Sequence, residues 1–400
     1  MVHAFRRRSV AVLLSLVAIV PTPALAQTPV SAEVPQAEIA WTREDAQVLL
    51  KLVEAAAEEG LDSAAYQIEM LRQAVLRDVP PRDVLTDVAL QLASDFRFGR
   101  VPMNDRVDWH MGPAPDRSLL RPIIARAVEE NRMEEAFQRL LPQTERYKAL
   151  KRALAEATDA KHRTALRVNL ERWRWMPREL GDKHLFVNIP AYRVDLVEDG
   201  AVVAEHAAIV GKPTTPTAAF STKVTAIRFN PAWAVPPGLK AKKLAFYKRN
   251  PTAARRQGYS VTQGPDGPSI WQRPGPSNAL GQVRFVMPNP HLIYLHDTPE
   301  KQLFARNSRA LSQGCVRTEQ PLELAERLLA DDGTDASVID AALADPRTEE
   351  IALNQPVPVH IAYFTAEVDA SGTVKLLPDV YGRDARVARA LNASTQMASR

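Results

Sequence analysis

Cysteine is nearly missing from this 400-residue chain: Cys315 is the only one. A single thiol excludes an internal disulfide framework and any metal centre built on paired cysteines. It leaves Cys315 as either a buried inert thiol or a reactive one. Metal-ligand spacing is missing too. His110, His162, His184, His206 and His360 are scattered, and no His-Glu-x-x-His stretch occurs, so no metal is implied. A glycine-rich phosphate loop and a dinucleotide fingerprint are absent, so no cofactor is expected. Beyond the first two dozen residues there is no apolar run long enough to span a bilayer.

What is present begins with an export signal. Arg6, Arg7 and Arg8, an apolar run from about Ser9 to Val20, and Ala24-Leu-Ala26 form its three parts, predicting cleavage after Ala26 and a periplasmic protein. Taking the three arginines of that segment from the 51 basic residues leaves 48 against 47 acidic ones. The high isoelectric point therefore gives no reason to expect nucleic acid as a partner.

Two grammars follow. Residues 27–40 read as a flexible leader. Thr42-Arg-Glu-Asp45 has the form of a capping box, and Ala46, Leu49, Leu50, Val53 and Ala57 recur at helical spacing until Gly60. Amphipathic segments continue to Trp173, so residues 41–177 are expected to be an all-helical domain. After Pro177 the period changes to two: Leu185, Val187, Ile189, then Tyr192, Val194, Leu196. Asp199-Gly200 predicts a hairpin, and extended runs recur to Val368. The fold class is a multidomain α+β chain: a helical domain, then a mostly β domain over 182–385 and a tail over 386–400. Residues 236–280 interrupt the strands with prolines, a basic helical stretch and a Gly/Pro-rich segment, and read as a lid insertion. The cations there, Lys240, Lys242, Lys243, Lys248, Arg249, Arg255 and Arg256, fit a solvated helix face or a surface meeting anionic polymer.

The chemistry gathers in two segments, His291-Leu-Ile-Tyr-Leu-His296 and Ser312-Gln-Gly-Cys-Val-Arg317. Strand periodicity puts Leu292, Tyr294 and His296 on one face, with His296 at the strand's exit as a general base. Cys315 precedes the apolar helical run Leu322, Ala325, Leu328, Leu329, with Thr318 as its N-cap; a helix start would stabilise the thiolate. Gly314 permits close approach, and the amides of Gly314 and Cys315 could form an oxyanion hole. Arg317 suits a substrate carboxylate or bracing of the loop. His291 reads as structural or surface.

These segments resemble the signature of the YkuD-type L,D-transpeptidases, a histidine at a strand end followed by a Ser-x-Gly-Cys-x-Arg loop. Ser312, Gly314, Cys315, Arg317 and His296 match it. So do Asn188-Ile-Pro-Ala-Tyr192, Val210-Gly-Lys212, Asn230-Pro-Ala-Trp233, Pro276-Ser-Asn-Ala-Leu-Gly281 and, upstream, Phe96-Arg-Phe-Gly-Arg100 and Asn169-Leu-Glu-Arg-Trp-Arg-Trp-Met-Pro177. The likeness is to the large periplasmic branch with a helical scaffold domain. It implies that Cys315 forms a thioester with the third residue of a tetrapeptide donor stem, that a diamino-acid amine of an acceptor stem resolves it as a 3-3 cross-link, and that Tyr294 and Gln313 touch substrate. Other wall-synthesis enzymes would be partners. Gln313 stands where many members carry a second histidine, and no separate peptidoglycan-binding repeat is found. The same site would also serve a hydrolase of stem peptides or of wall-to-protein links, and a wall-binding scaffold without catalysis is the rival from another class.

Overall fold

The structure is a computed structural model and describes residues 38–112 and 114–398. The expected export signal and nearly all of the leader lie outside these residues.

The N-terminal half is helical: α1 (Arg43–Ala55), α2 (Ile68–Val75), α3 (Arg82–Phe98), α4 (Leu120–Glu129), α5 (Met133–Leu140), α6 (Glu145–Glu156) and α7 (Ala160–Arg174). The capping box at α1 forms as expected. Thr42 Oγ1 accepts the Asp45 amide at 3.1 Å, while the Asp45 carboxylate accepts the Thr42 amide at 2.9 Å. Gly60, in the left-handed region at φ 74°, ends the turn that continues α1. Two residues, Trp109–His110, form a short strand β1 inside this otherwise helical region.

The β half contains β2 (Lys183–Asn188), β3 (Arg193–Glu198), β4 (Ala201–Gly211), β5 (Ala219–Phe229), β6 (Trp233–Ala234), α8 (Pro237–Arg249), α9 (Pro251–Arg256), β7 (Tyr259–Gly264) and β8 (Gly267–Gln272). It continues through β9 (Val283–Val286), β10 (Leu295–His296), β11 (Ala310–Ser312), β12 (Val316–Thr318), α10 (Pro321–Asp331), α11 (Ala336–Ala344), β13 (Glu349–Ala362), β14 (Ala366–Val368), β15 (Val374–Leu376) and α12 (Asp384–Ala398). Asp199 and Gly200 both take positive φ, 49° and 80°, the mirror-image turn that matches strand twist and joins β3 to β4.

The main sheet runs β1-β5-β13-β2-β3-β4-β12-β10-β9, and an additional pairing of β9 with β5 closes its eight central strands on themselves. Ile227, Phe285, Leu295 and Val316 lie in one cross-strand row and are fully buried, so this row faces the core. Residues on either side along each strand face the other way.

The two halves are not separate cores. Trp173 of α7 stacks on Phe186 at 5.8 Å and on Phe364 at 4.7 Å, and one continuous apolar cluster runs from Ile39 to Leu391. β1 pairs in parallel with the start of β5. Asn169 exchanges two hydrogen bonds with Thr365, at 3.0 and 2.8 Å, and buried Arg172 reaches Asp384 at 2.6 Å. The segment Asn169–Pro177 therefore joins helices to sheet. Its Glu171 carboxylate, fully buried, accepts the Val101 amide at 2.8 Å and the Trp175 indole N–H at 2.9 Å, and pairs with Arg174 at 2.9 Å. Of the expected C-terminal tail, residues 386–398 instead belong to α12, which packs on α7 and buries Val387 and Leu391, and the last two lie outside the described residues.

The insertion folds as a unit with its own small core. β6, β8 and β7 form a three-stranded sheet covered by α8 and α9, with Trp233, Val235, Ala254, Tyr259, Ile270 and Leu280 buried between them. Tyr294 packs against both this core and the main one.

Candidate active site

Strand register places Cys315 and His296 on one face, as diagonal neighbours on adjacent strands. β10 and β12 run parallel with Leu295 opposite Val316 and His296 opposite Arg317, and the Val316 amide donates to the Tyr294 carbonyl at 3.1 Å. Alternation then turns Cys315 and Arg317 outward on the same face as Tyr294 and His296. On the other side of β10, Arg284 of β9 lies opposite His296. Four of these five residues were singled out in the sequence; Arg284 was not. Its position was legible nonetheless, as the polar residue between Val283 and Phe285 in a strand pattern.

His296 is buried, and its Nδ1–H donates to the Asp297 carbonyl. Nε2 is thereby left with its lone pair, the form a proton acceptor needs. Burial, with the nearby Arg317 and Arg284 cations, pushes its pKa down to about 3, so the ring is neutral at any physiological pH. Asp297 holds this segment from the other side. Its carboxylate accepts the Gln282 amide at 2.8 Å and the Thr298 amide at 2.6 Å, and pairs with Lys301. A Cβ on Gly281 would lie 2.2 Å from that carboxylate, and φ there is +60°, so only glycine fits.

The Cys315 loop is shaped by a different network. Ser312 Oγ donates to the Cys315 carbonyl at 2.6 Å and accepts the Gly314 amide at 3.1 Å. Gly314 sits at φ 118°. Its carbonyl accepts from Thr217 Oγ1 at 2.7 Å, and that hydroxyl accepts the Gly211 amide at 2.8 Å. Tyr381 completes the support, donating to the Gly211 carbonyl at 2.6 Å and accepting the Thr217 amide at 3.1 Å. Thr217 is 97 residues from Gly314, and Tyr381 is 170 from Gly211 and 164 from Thr217; no local motif marks them.

Three expectations are corrected. Cys315 does not precede a helix but strand β12; α10 begins only at Pro321 and has Gln320 before it, without a side-chain cap. Thr318 is no N-cap, being fully buried in β12 with its hydroxyl unpartnered. The parallel pairing of β10 with β12 took these residues into the sheet, which a local helical pattern could not anticipate. Leu292 does not share a strand face with Tyr294 and His296. It is 74% exposed with φ 56°, ahead of β10, and its carbonyl lies 3.6 Å from Cys315 Sγ.

The thiol is half-buried, and desolvation raises its pKa, opposed by interactions with Tyr294 and by the Arg284 and Arg317 cations. The pair is thus a neutral thiol beside a neutral imidazole. Such an arrangement can pass a proton from sulfur to nitrogen as sulfur attacks an electrophile. Arg317 Nη1 is tied to Glu300 at 2.6 Å, the geometry of a loop brace. Gln313 is exposed at the tip of the loop, and the Gly314 amide is committed to Ser312. The His291 ring packs at a tilt against His110 at 4.6 Å and Phe220 at 4.8 Å. Among the described residues no group of three His, Cys, Asp or Glu side chains is disposed to hold a metal ion.

Comparison with known proteins agrees with the sequence resemblance. Residues 182–359 match the YkuD family, the L,D-transpeptidase catalytic domain, and residues 35–154 match a family described as a scaffold domain. The chain is similar to a Haemophilus influenzae protein that carries the provisional name L,D-transpeptidase, with 32% identity over 284 residues. That match takes in 65% of this chain and 57% of the relative, so the chain spans little more than half of the relative's length. Solved structures similar to it include the Enterococcus faecium L,D-transpeptidase catalytic domain acylated by ertapenem (16% identity, 46% of this chain and 98% of that one, TM-score 0.24). An L,D-transpeptidase from Mycobacterium smegmatis is another (14% identity, 44% and 58%, TM-score 0.23). The chain carries a YkuD-type L,D-transpeptidase catalytic domain preceded by a helical scaffold domain.

Proposed function

We propose that this protein is a periplasmic peptidoglycan L,D-transpeptidase that forms 3-3 cross-links through a Cys315 thioester. The observation that carries the reading is the shared outer face of β10 and β12, on which Cys315 and a neutral His296 are diagonal neighbours. His296 Nε2 takes the Sγ proton while sulfur attacks the carbonyl of the third residue of a donor tetrapeptide. The C–N bond to the terminal D-amino acid breaks, and the proton leaves with its amine. A diamino-acid amine of an acceptor stem then attacks the thioester and gives a proton to His296; the new C–N bond forms as the C–S bond breaks, and His296 passes that proton to the departing sulfur, restoring the Cys315 thiol.

The Cys315 amide takes part in none of the loop's hydrogen bonds, which supports it as the oxyanion donor; Gly314 gives the loop its turn. Ser312 holds the loop, Arg317 braces it, and Tyr294 and Gln313 line the approach. The insertion acts as a lid, with Tyr294 as the contact between its core and the thiol, excluding water so that an amine resolves the thioester. No helix among the described residues is long and apolar enough to cross a membrane; the sequence pattern of an export signal before Gln27 supports export.

Incubation with purified disaccharide-tetrapeptide, followed by mass spectrometry, tests the proposal. Cross-linked dimer with released D-alanine is expected, and Cys315→Ala loses both products together with covalent labelling by a carbapenem. Tripeptide monomer without dimer would replace the transferase by a hydrolase, and no turnover would leave a wall-binding scaffold.

A further inference from the structure

Arg284 stands in a row of ionisable residues that crosses five strands. Register sets Glu350 of β13 opposite Arg228 of β5, Arg228 opposite Arg284 of β9, Arg284 opposite His296 of β10, and His296 opposite Arg317 of β12. The two outer arginines have carboxylate partners. Arg228 Nε meets Glu350 at 2.6 Å, and Arg317 Nη1 meets Glu300 at 2.6 Å. Arg284 has none among the described residues, and its Nε is buried without an acceptor. Its guanidinium lies 4.0 Å from the centre of the Tyr294 ring, the residue opposite Cys315.

An unneutralised cation at this point works against catalysis in the free protein, because it opposes the imidazolium that His296 must become. The reaction proposed above brings one anion to the site in every cycle, the C-terminal carboxylate of the donor peptide, a single residue beyond the carbonyl that sulfur attacks. A guanidinium stacked on an aromatic ring retains a fork of N–H donors for a carboxylate.

We propose that Arg284, and not Arg317, is the carboxylate anchor of the donor site, binding the terminal carboxylate of the amino acid that is expelled. This rests on the acyl-transfer reading and adds to it the recognition of a free peptide C-terminus. The arriving anion also neutralises the field on His296, so a carboxylate-terminated donor both binds and assists proton transfer, and the carboxylate departs with the leaving amino acid.

The test compares a tetrapeptide donor with its C-terminal carboxamide. In the Cys315→Ala background, calorimetry is expected to give about ten- to a hundredfold tighter binding of the acid, the range of a charge-assisted pair. Adding Arg284→Gln should remove that preference by weakening the acid alone, with Arg284→Lys keeping part of it. In the enzyme with Cys315 intact, Arg284→Gln should raise KM for the acid and leave KM for the amide unchanged. A preference that survives Arg284→Gln and Arg284→Lys, or an equal loss of kcat on both donors, overturns the assignment in favour of a field acting only on the thiol. If the Cys315→Ala protein binds neither donor, this assignment falls. Selective binding that Arg284 controls, without turnover by the intact enzyme, would instead sink the acyl-transfer reading alone.

Discussion

Ser312 Oγ donates to the carbonyl of Cys315 at 2.6 Å, so the residue that shapes the loop grips the candidate nucleophile's own backbone. The same oxygen accepts from Gly314. Ser312→Ala removes both bonds in a buried setting and should cost about 1–3 kcal/mol. Turnover should fall about tenfold with little change in KM, as measured by D-alanine release alongside thermal unfolding. An unchanged rate would mean the loop keeps its shape without the hydroxyl.

Thr217 tests the same loop from a distance. Thr217→Val keeps the volume but leaves the Gly314 carbonyl and the Gly211 amide without their partner. Each orphaned buried group costs about 1–3 kcal/mol. The midpoint of denaturant unfolding should drop, and carbapenem acylation should slow more than unfolding alone explains.

Arg317 and Glu300 distinguish a brace from a substrate contact. If Arg317 only braces, Glu300→Gln and Arg317→Gln should lower kcat by similar factors without altering KM. The pair is half exposed on the Glu300 side, so stability should change by no more than about 1 kcal/mol. A lower KM in Glu300→Gln, from release of the guanidinium, would return the carboxylate role to Arg317.

Acid should unfold the protein through its buried neutral histidines. His360 accepts from Ser221 Oγ at 2.9 Å and donates to the Leu180 carbonyl at 2.9 Å; burial lowers its pKa to about 4, and that of His296 to about 3. Below about pH 6.5 the unfolded chain binds protons that the folded one does not, so stability is present at neutral pH and lost as pH falls toward these values. His360 alone accounts for roughly 3 kcal/mol at pH 4. Thermal scans from pH 7 to 4 should show a falling midpoint, and His360→Gln should flatten the slope.

Trp173 bears on whether the helical and β halves unfold together. Its ring lies between α7 and the sheet, against Phe186 and Phe364. Trp173→Ala should cost about 3–5 kcal/mol. The wild-type chain should unfold in one transition by both far-ultraviolet dichroism and tryptophan fluorescence, and the variant should separate into two.

Much of this was readable from local pattern. The capping box at Thr42, the Asp199-Gly200 hairpin and the change of period after Pro177 are each decided by neighbours within a few residues, and the structure contains all three. The segment after Cys315 was misread because its apolar spacing does belong to a helix, but one that starts at Pro321, after three residues that hydrogen-bond to strands from elsewhere in the chain. The region after residue 385 read as a tail because nothing local reveals that α7 provides a surface for it.

The sequence by itself determined the order of helical and β halves and the insertion, and singled out Cys315 and His296 as candidates, since periodicity and a short motif are properties of adjacent residues. Tertiary structure decided what surrounds them. Register between strands set Arg228, Arg284, His296 and Arg317 in one row, and tertiary contacts gave Arg228 and Arg317 a carboxylate and brought Thr217 and Tyr381 behind the cysteine loop. Those relations depend on which strands pair and at what offset, which is settled by the burial of one whole face against a common core and cannot be read from any single segment.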